Sequence, residues 1–209
     1  MNPEKKFSIE QIKAFQDIFD FFNDNLFNGE LPPVILNFSR SSAKTIAFFK
    51  PNTWTPEENP DVEDRLHELS LTPRFLNRSK KETFSTIVHE QCHLWQHTFG
   101  KKKSRAGYHN REWADKMLEV GLKPISGNGG MTGQSVTHDI IAEGKFEKVF
   151  MVSEKELRLP FIVLNEDRKK ASRQTRSKYY CDKCLAIVYG KKDLKIFCGD
   201  CDVQYKISE

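Results

Sequence analysis

The chain has 209 residues, enough for one domain of ordinary size and a small additional module. Hydrophobic residues make up 38% of it, with 16 phenylalanines, so a packed core can form, while the net charge of +4 is too small to name a partner. No apolar run approaches the roughly 20 residues that span a bilayer, and the first residues lack the apolar stretch of a secretory signal. These features argue against an integral membrane protein and predict a soluble, cytoplasmic one without a membrane partner.

An amphipathic helix is predicted first, over residues 9–27. Apolar side chains recur there mostly three and four residues apart, which places them on one helical face. Ser8 and Gln11 have the spacing of a capping box, and Gly29 lies where the helix should end. A Pro-Pro pair then excludes further helix.

Three short runs with strand character follow, at Val34–Phe38, Thr45–Phe49 and Leu66–Leu71. The proline-rich stretch Pro51–Pro60 is predicted as the loop between the second and the third. The first part of the chain therefore predicts a helix followed by a small sheet.

The most informative pattern is the pentapeptide His89-Glu90-Gln91-Cys92-His93, inside a predicted helix over residues 83–98. Side chains four residues apart lie on one helical face, about 40° from each other at roughly 100° per residue. Both imidazoles can therefore bind one zinc ion, at roughly 2.0–2.1 Å. The intervening Glu90 can reach a water on the ion as general base. We predict a catalytic zinc site here, with Glu90 as the catalytic residue.

Two further elements are predicted after this motif. The helix that contains the pentapeptide should end at Gly100. A second helix should run from Asn110, a favourable N-cap, to Gly121. Residues 126–134 are glycine-rich and predict irregular structure. Residues 140–164 match no simple template.

A catalytic zinc site needs a third protein ligand and an open position for water. His97 is excluded by length, because eight residues of straight helix separate it from His89 by about 12 Å. It is predicted to be a partly exposed side chain at the helix end. His67, in a strand pattern, and His138, in an irregular segment, fit ordinary histidines.

His109 is better placed to be the third ligand. It comes 16 residues after His93 and just ahead of the second helix, where the chain can fold back over the site. Glu112 and Glu119 on that helix are alternatives that the spacing leaves open.

Four of the five cysteines form two CxxC pairs near the C-terminus, Cys181/Cys184 and Cys198/Cys201, separated by 13 residues. This spacing is typical of a structural zinc ribbon, in which each pair holds one side of a tetrahedral ion. Redox-active CxxC pairs are the alternative. Cys92, inside the metal motif, is predicted to be a small buried residue.

Basic residues concentrate in the 101–105 loop, in the 165–178 segment with six basic and two acidic residues, and around the ribbon. Basic side chains neutralise phosphates and aromatic rings stack on unpaired bases, so we predict DNA as a partner, single-stranded or with single-stranded character. A solvated surface is the alternative for each run. The candidate contacts are Lys101, Lys102, Lys103, Arg105, Arg168, Lys169, Lys170, Arg173, Arg176 and Lys178, with Tyr179, Tyr180, Tyr189, Lys191, Lys192 and Lys195 in the ribbon.

The stretch 82–117 resembles the SprT-like zinc metallopeptidases, whose eukaryotic relative is Spartan. It contains HEQCHLWQHTFG followed by GYHNREWADKM. The family's third ligand, a histidine a few residues ahead of an acidic-aromatic pair, falls on His109. The similarity extends upstream to the strand at 47–49. Downstream, residues 130–134 with His138, and the terminal four-cysteine module, are similar to the bacterial branch of the family.

The resemblance implies an α+β fold. Its zincin-type metallopeptidase domain would contain an N-terminal helix, a small β-sheet, the HExxH helix and a following helix, joined to a small four-cysteine zinc ribbon. We predict the metallopeptidase domain at residues 1–164, a basic linker at 165–178 and the ribbon at 179–209. Two zinc ions are expected, one catalytic and one structural.

The activity implied by the family is zinc-dependent peptide hydrolysis, and in Spartan the cleavage of proteins crosslinked to DNA. We therefore predict an endopeptidase of the bacterial cytosol or nucleoid, whose partners are a protein substrate and DNA. Tyr108 and His138 are the nearest candidates for an additional oxyanion donor. Two other functions stay open: a non-catalytic, transcription-related nucleic-acid adaptor that binds through the ribbon, and a peptidase with a non-DNA substrate.

Overall fold

The computed structural model of the protein describes residues 6–39, 45–60, 65–105, 107–163 and 176–207. Within it the chain divides into two compact units, residues 1–165 and 166–209. The predicted linker at 165–178 lies largely outside the described residues, as do four of its basic side chains, Arg168, Lys169, Lys170 and Arg173.

The described residues of the larger unit form α-helices and short strands, a mixed α/β arrangement. The helices are α1 (Phe7–Phe27), α2 (Lys80–Phe99), α3 (Arg111–Glu119) and α4 (Lys145–Ser153). The strands are β1 (Val34–Phe38), β2 (Ala47–Trp54), β3 (Leu66–Leu71), β4 (Tyr108–His109), β5 (Leu122–Ile125), β6 (Gly133–Gln134) and β7 (Thr137–Ile140). The smaller unit contains β8 (Ser177–Tyr180), β9 (Ile187–Gly190), β10 (Phe197–Cys198), β11 (Val203–Gln204) and β12 (Lys206–Ile207).

The central strand of the main sheet is β3, which pairs in parallel with β1 and antiparallel with β2. Both β1 and β3 form over their predicted ranges. The strand β2 begins two residues late and continues through Pro51 to Trp54, into the stretch predicted as loop. Pro51 is tolerated because β2 is an edge strand and its register shifts between Lys50 and Trp54.

The predicted capping box at the start of α1 is wrong. Ser8 lies inside the helix, and the N-cap residue Lys6 makes no side-chain cap hydrogen bond. Gln11 instead donates to the carbonyl of Phe161 and accepts from its N–H, at 3.0 Å each. A contact between residues 150 positions apart has replaced a local one.

Phenylalanine side chains join α1, α2 and α4. Phe22 contacts Phe84 and Phe146, with ring centroids 5.8 and 5.5 Å apart, and Phe84 contacts Phe150 at 5.9 Å. All four rings are buried. Aromatic pairs of this kind contribute about 0.5–1.5 kcal/mol beyond the area they bury. The helix α4, which lies in the stretch that matched no template, is thus fixed by the core.

The segment after α3 takes part in two strand pairs that were not predicted. β5 and β7 pair antiparallel over four residues each, and β6 pairs with β4. Gly121, at φ +92°, leads from α3 into β5, and a Cβ there would lie 2.7 Å from the backbone nitrogen of Phe146. The close approach of α3 to the start of α4 therefore requires glycine at this position.

Candidate metal centre

The helix α2 carries the HExxH pentapeptide and is held at its start and near its middle. Ser79 and Glu82 form a reciprocal capping box at its N-terminus. Gln91, fully buried, donates through Nε2 to the carbonyl of Phe19 on α1 at 2.8 Å. The capping box fixes where the helix begins, and the Gln91 contact restrains its rotation relative to α1, and with it the direction in which its histidines point.

His89 and His93 lie one turn apart on α2, with ring centroids 5.1 Å from each other. His109 comes from β4, directly before Asn110, whose side chain caps α3 as predicted by accepting from the N–H of Trp113. Its ring centroid lies 5.5 Å from that of His89 and 4.7 Å from that of His93. The structure therefore brings together the three histidines on which the sequence interpretation rests.

These three side chains fit a zinc ion. One ring nitrogen from each lies within 4.8 Å of the others, a separation that small ring rotations reduce to fit Zn–N bonds of roughly 2.0–2.1 Å. Burial lowers the pKa of His89 well below its usual range and that of His93 to about 3, with further lowering by neighbouring histidines. Neutral imidazoles keep the lone pair that a metal needs.

Trp113 on α3 packs against all three rings. Its centroid lies 4.9 Å from that of His89, 5.0 Å from that of His93 and 4.3 Å from that of His109. The indole is fully buried, and its Nε1–H has no hydrogen-bond partner in the described part of the protein. It forms an apolar wall that limits how far each ring can turn.

Glu90 is buried, with 5% of its surface exposed. Burial raises the pKa of its carboxyl group to about 8, and a hydrogen bond from the backbone N–H of Phe49 acts in the opposite direction. The edge strand β2 thus lies directly against the acidic residue of the motif. A carboxyl group with a pKa near neutrality is well suited to exchange protons.

His138, on β7, contacts the centre through His89. Its Nδ1 lies 3.1 Å from Nδ1 of His89, and its Nε2 lies 3.0 Å from the hydroxyl of Ser85. Burial and the nearby Arg78 lower its pKa to about 4, so the imidazole is neutral at pH 7. Because both of its nitrogens already have partners, the structure argues against the predicted oxyanion role for His138.

The other candidate, Tyr108, has the guanidinium of Arg105 over its ring, 5.2 Å from the centroid. Its role as an oxyanion donor stays a prediction.

The alternative ligands lie elsewhere. Glu112 accepts the backbone N–H groups of Lys101 and Lys102, at 2.9 and 3.2 Å. Glu119 forms an ion pair with Lys116 at 2.7 Å. Neither carboxylate belongs to the histidine cluster.

His97 and His67 lie outside the cluster too. As predicted, His97 is partly exposed near the end of α2. It packs edge-on against His67, with centroids 4.9 Å apart.

The smaller unit brings all four ribbon cysteines together, within 4.8 Å of one another. Sγ of Cys184 lies 3.6 Å from that of Cys198, close to the roughly 3.8 Å expected across a tetrahedral ion with 2.3 Å Zn–S bonds. The N–H of Cys184 donates to Sγ of Cys181 and lowers the pKa of that thiol, which favours the thiolate a metal needs. Cys92, as predicted, is fully buried.

The described basic candidates lie on the surface. The side chains of Lys101, Lys102, Lys103, Arg105 and Arg176 are exposed, and that of Lys178 is half-buried. Tyr179 is buried, and its hydroxyl donates to the carbonyl of Lys191 at 2.6 Å. It is therefore a packing residue and unavailable for stacking on a base.

None of the helices in the described part of the chain has the length and apolar character of a membrane span.

Comparison with known proteins identifies the larger unit. No curated protein matches the chain. The model of the SprT-like family matches residues 15–137, more than half of the chain, a range that includes α2 and His109 but ends before His138 and the ribbon. The chain therefore belongs to the SprT-like family.

Proposed function

We propose that this protein is a zinc-dependent endopeptidase with a zincin-type domain, which associates with DNA in the cytoplasm and cleaves DNA-bound or DNA-crosslinked proteins. The observation that carries the proposal is the convergence of three neutral imidazoles, from α2 and β4, beside a buried carboxyl group between two of them in sequence. Family membership supports the same chemistry.

The chemistry divides between the ion and the chain. A zinc ion held by His89, His93 and His109 would activate water and polarise the scissile carbonyl. Glu90 accepts a proton from the attacking water and returns it to the leaving amide nitrogen. A nearby cation lowers the pKa of a carboxyl group, so Glu90 starts the reaction ionised although burial alone raises its pKa.

The exposed face of the ribbon sheet supports the nucleic-acid part of the proposal. Lys178 and Tyr189 are directly opposite each other on β8 and β9, as are Tyr180 and Ile187, so the four side chains share one face. Tyr189 is 66% exposed. A tyrosine beside a lysine can stack on an unpaired base while the ammonium group approaches the phosphate.

The same face continues onto β12. Lys206 is directly opposite Tyr180 there and forms an ion pair with Asp182 at 2.8 Å.

The proposal is tested with the purified full-length, zinc-loaded protein and a basic DNA-binding protein as substrate, with and without single-stranded DNA. We expect cleavage that requires both DNA and Glu90, is lost in Glu90→Gln, and weakens as salt increases. In Tyr189→Ala, binding of single-stranded DNA should fall about 5- to 150-fold, from the ~1–3 kcal/mol that one stacked base contributes. Tyr189→Phe is the matched control and should bind like the wild type.

The alternatives give different results in this assay. Cleavage that is indifferent to DNA and salt would identify a peptidase with a non-DNA substrate. Absence of Glu90-dependent cleavage, with DNA binding retained, would identify the non-catalytic adaptor and overturn the proposed enzyme. Cys181→Ser with Cys184→Ser separates the two readings further, because the enzyme predicts residual peptidase activity and the adaptor predicts complete loss of function.

A further inference from the structure

A chain of hydrogen bonds runs from the first turn of α2 to the metal ligand His89. The hydroxyl of Ser85 donates to the carbonyl of Glu82 at 3.0 Å. Nε2 of His138 lies 3.0 Å from that hydroxyl, and Nδ1 of His138 lies 3.1 Å from Nδ1 of His89. These hydrogen bonds join β7 to α2, although His138 and His89 are 49 residues apart in sequence.

The donors and acceptors in this chain can be assigned in order. The Ser85 hydroxyl has given its proton to a carbonyl, so it accepts from Nε2–H of His138. A neutral imidazole protonated at Nε2 has a lone pair at Nδ1, and this lone pair accepts from Nδ1–H of His89. The remaining nitrogen of His89, Nε2, then keeps the lone pair for the ion.

We propose that His138 is a positioning residue for the metal ligand His89. It fixes both the tautomer and the ring orientation of His89, the role that a carboxylate or a carbonyl oxygen usually has beside a metal-bound histidine. His138 does not belong to the group of side chains that could share the ion. It therefore orients a ligand and leaves the open coordination position that catalysis needs.

The same short segment orients His109. The carbonyl of Gly133 lies 3.2 Å from Nδ1 of His109 and accepts its proton. Gly133 on β6 and His138 on β7 are held by pairing with β4 and β5. Residues 133–138 thus supply the orienting partner for two of the three ligands.

The two contacts of His138 can be separated by substitution. In His138→Asn the side-chain oxygen occupies the place of Nδ1 and can still accept from His89, while the contact with Ser85 is lost. In His138→Gln the terminal amide occupies the place of Nε2 and keeps the contact with Ser85, while the acceptor for His89 is lost. If His138 only filled space, zinc affinity would not be retained in His138→Asn and lowered in His138→Gln.

The experiment is a chelator competition for Zn²⁺ on the full-length protein. His109→Ala identifies which binding step belongs to the histidine site, because the cysteine site keeps its own ligands. We expect His138→Gln and His138→Ala to lower zinc affinity at the histidine step about 10- to 100-fold, and His138→Asn to stay within about threefold of the wild type. The pair His67→Asn and His67→Gln is the control, expected to leave the histidine step unchanged.

A second readout does not depend on affinity. Long-range ¹H–¹⁵N spectra of the zinc-loaded protein should show His89 protonated at Nδ1 and His138 protonated at Nε2. Equal zinc affinity in the Asn and Gln variants, or His138 protonated at Nδ1, would overturn the inference. The inference rests on the proposed metal centre, but its two measurements require neither peptidase activity nor DNA. A wild-type protein that bound no ion at the histidine step would overturn the proposed function as well, whereas unaffected His138 variants would overturn the positioning role alone.

Discussion

The backbone N–H of Phe49 donates a hydrogen bond to the carboxyl group of Glu90. Phe49 lies on the edge strand β2, opposite Leu69 of β3. Thr72 donates to the carbonyl of Ile46 in the same register, and hydrogen-bonded pairs alternate along an antiparallel ladder, so the N–H of Phe49 is directed away from β3. Burial raises the pKa of Glu90 to about 8, and this hydrogen bond acts against that effect. The edge strand therefore helps to set the proton affinity of the proposed general base.

Removal of this N–H should raise the pKa of Glu90 further. In Phe49→Pro, the acid limb of the pH–rate profile should move to higher pH, because the base must lose its proton to act. An edge strand tolerates proline where the N–H does not serve the ladder. Phe49→Ala keeps the N–H and loses the ring, so its acid limb should stay in place. An equal shift in both variants would contradict the role of the N–H.

Metal analysis should find two zinc ions per chain. His109→Ala should lose one and Cys198→Ser the other, because the two ligand sets share no residue. Elemental analysis of the purified variants measures this directly. Loss of both ions in either variant, with the fold intact by circular dichroism, would contradict two independent sites.

Trp113 should stabilise the centre through its ring rather than its N–H. Trp113→Ala should lower the free energy of unfolding by about 3–5 kcal/mol, because it opens a cavity in a buried site, and should weaken zinc binding. Trp113→Phe keeps an aromatic wall and removes an N–H that has no partner in the described contacts. It should therefore lower the free energy of unfolding by less than half as much as Trp113→Ala. Urea unfolding with zinc titration measures both quantities. An equal loss of unfolding free energy in the two variants would contradict the role of the aromatic ring as an apolar wall.

The metal-free protein should become less stable as pH rises through the titration of Glu90. Its pKa is about 8 in the fold and close to 4.5 when unfolded, so the folded state binds more protons between these values and its stability falls with increasing pH. Glu90→Gln should remove this loss, with a gain over wild type that grows from pH 4.5 to 8 and reaches ~5 kcal/mol at most.

Glu112→Gln is the control for this effect, because the N–H groups of Lys101 and Lys102 lower the pKa of the Glu112 carboxyl group. It should destabilise the protein at pH 7 instead. Urea unfolding of the metal-free proteins across this pH range measures both variants. A stability difference between Glu90→Gln and wild type that does not change with pH would contradict the raised pKa.

The parts of the protein that depend on local patterns were predictable. The strands β1 and β3, the helix around the HExxH pentapeptide and the Asn110 cap form where periodicity and capping chemistry place them. The place of His109 beside His89 and His93 was predictable from its position between a loop and a helix, together with the family resemblance.

The parts that depend on distant partners were not predictable. Gln11 has the spacing of a local cap, but both polar atoms of its side-chain amide form hydrogen bonds with the carbonyl and N–H of Phe161 instead. The helix α4 forms because Phe146 and Phe150 meet a core built by α1 and α2. His138 looked like an ordinary histidine because nothing near it in sequence shows that His89 and Ser85 lie beside its ring.

The proposed proteolytic centre is tested most directly by cleavage measured beside metal content, in zinc-loaded wild-type protein and in Glu90→Gln. The account predicts two zinc ions per chain in both proteins and cleavage of a DNA-bound protein by the wild type alone, with a rate at least about 100-fold above the variant. Equal cleavage by the two proteins, or a wild type that holds zinc only at its cysteines, would contradict it.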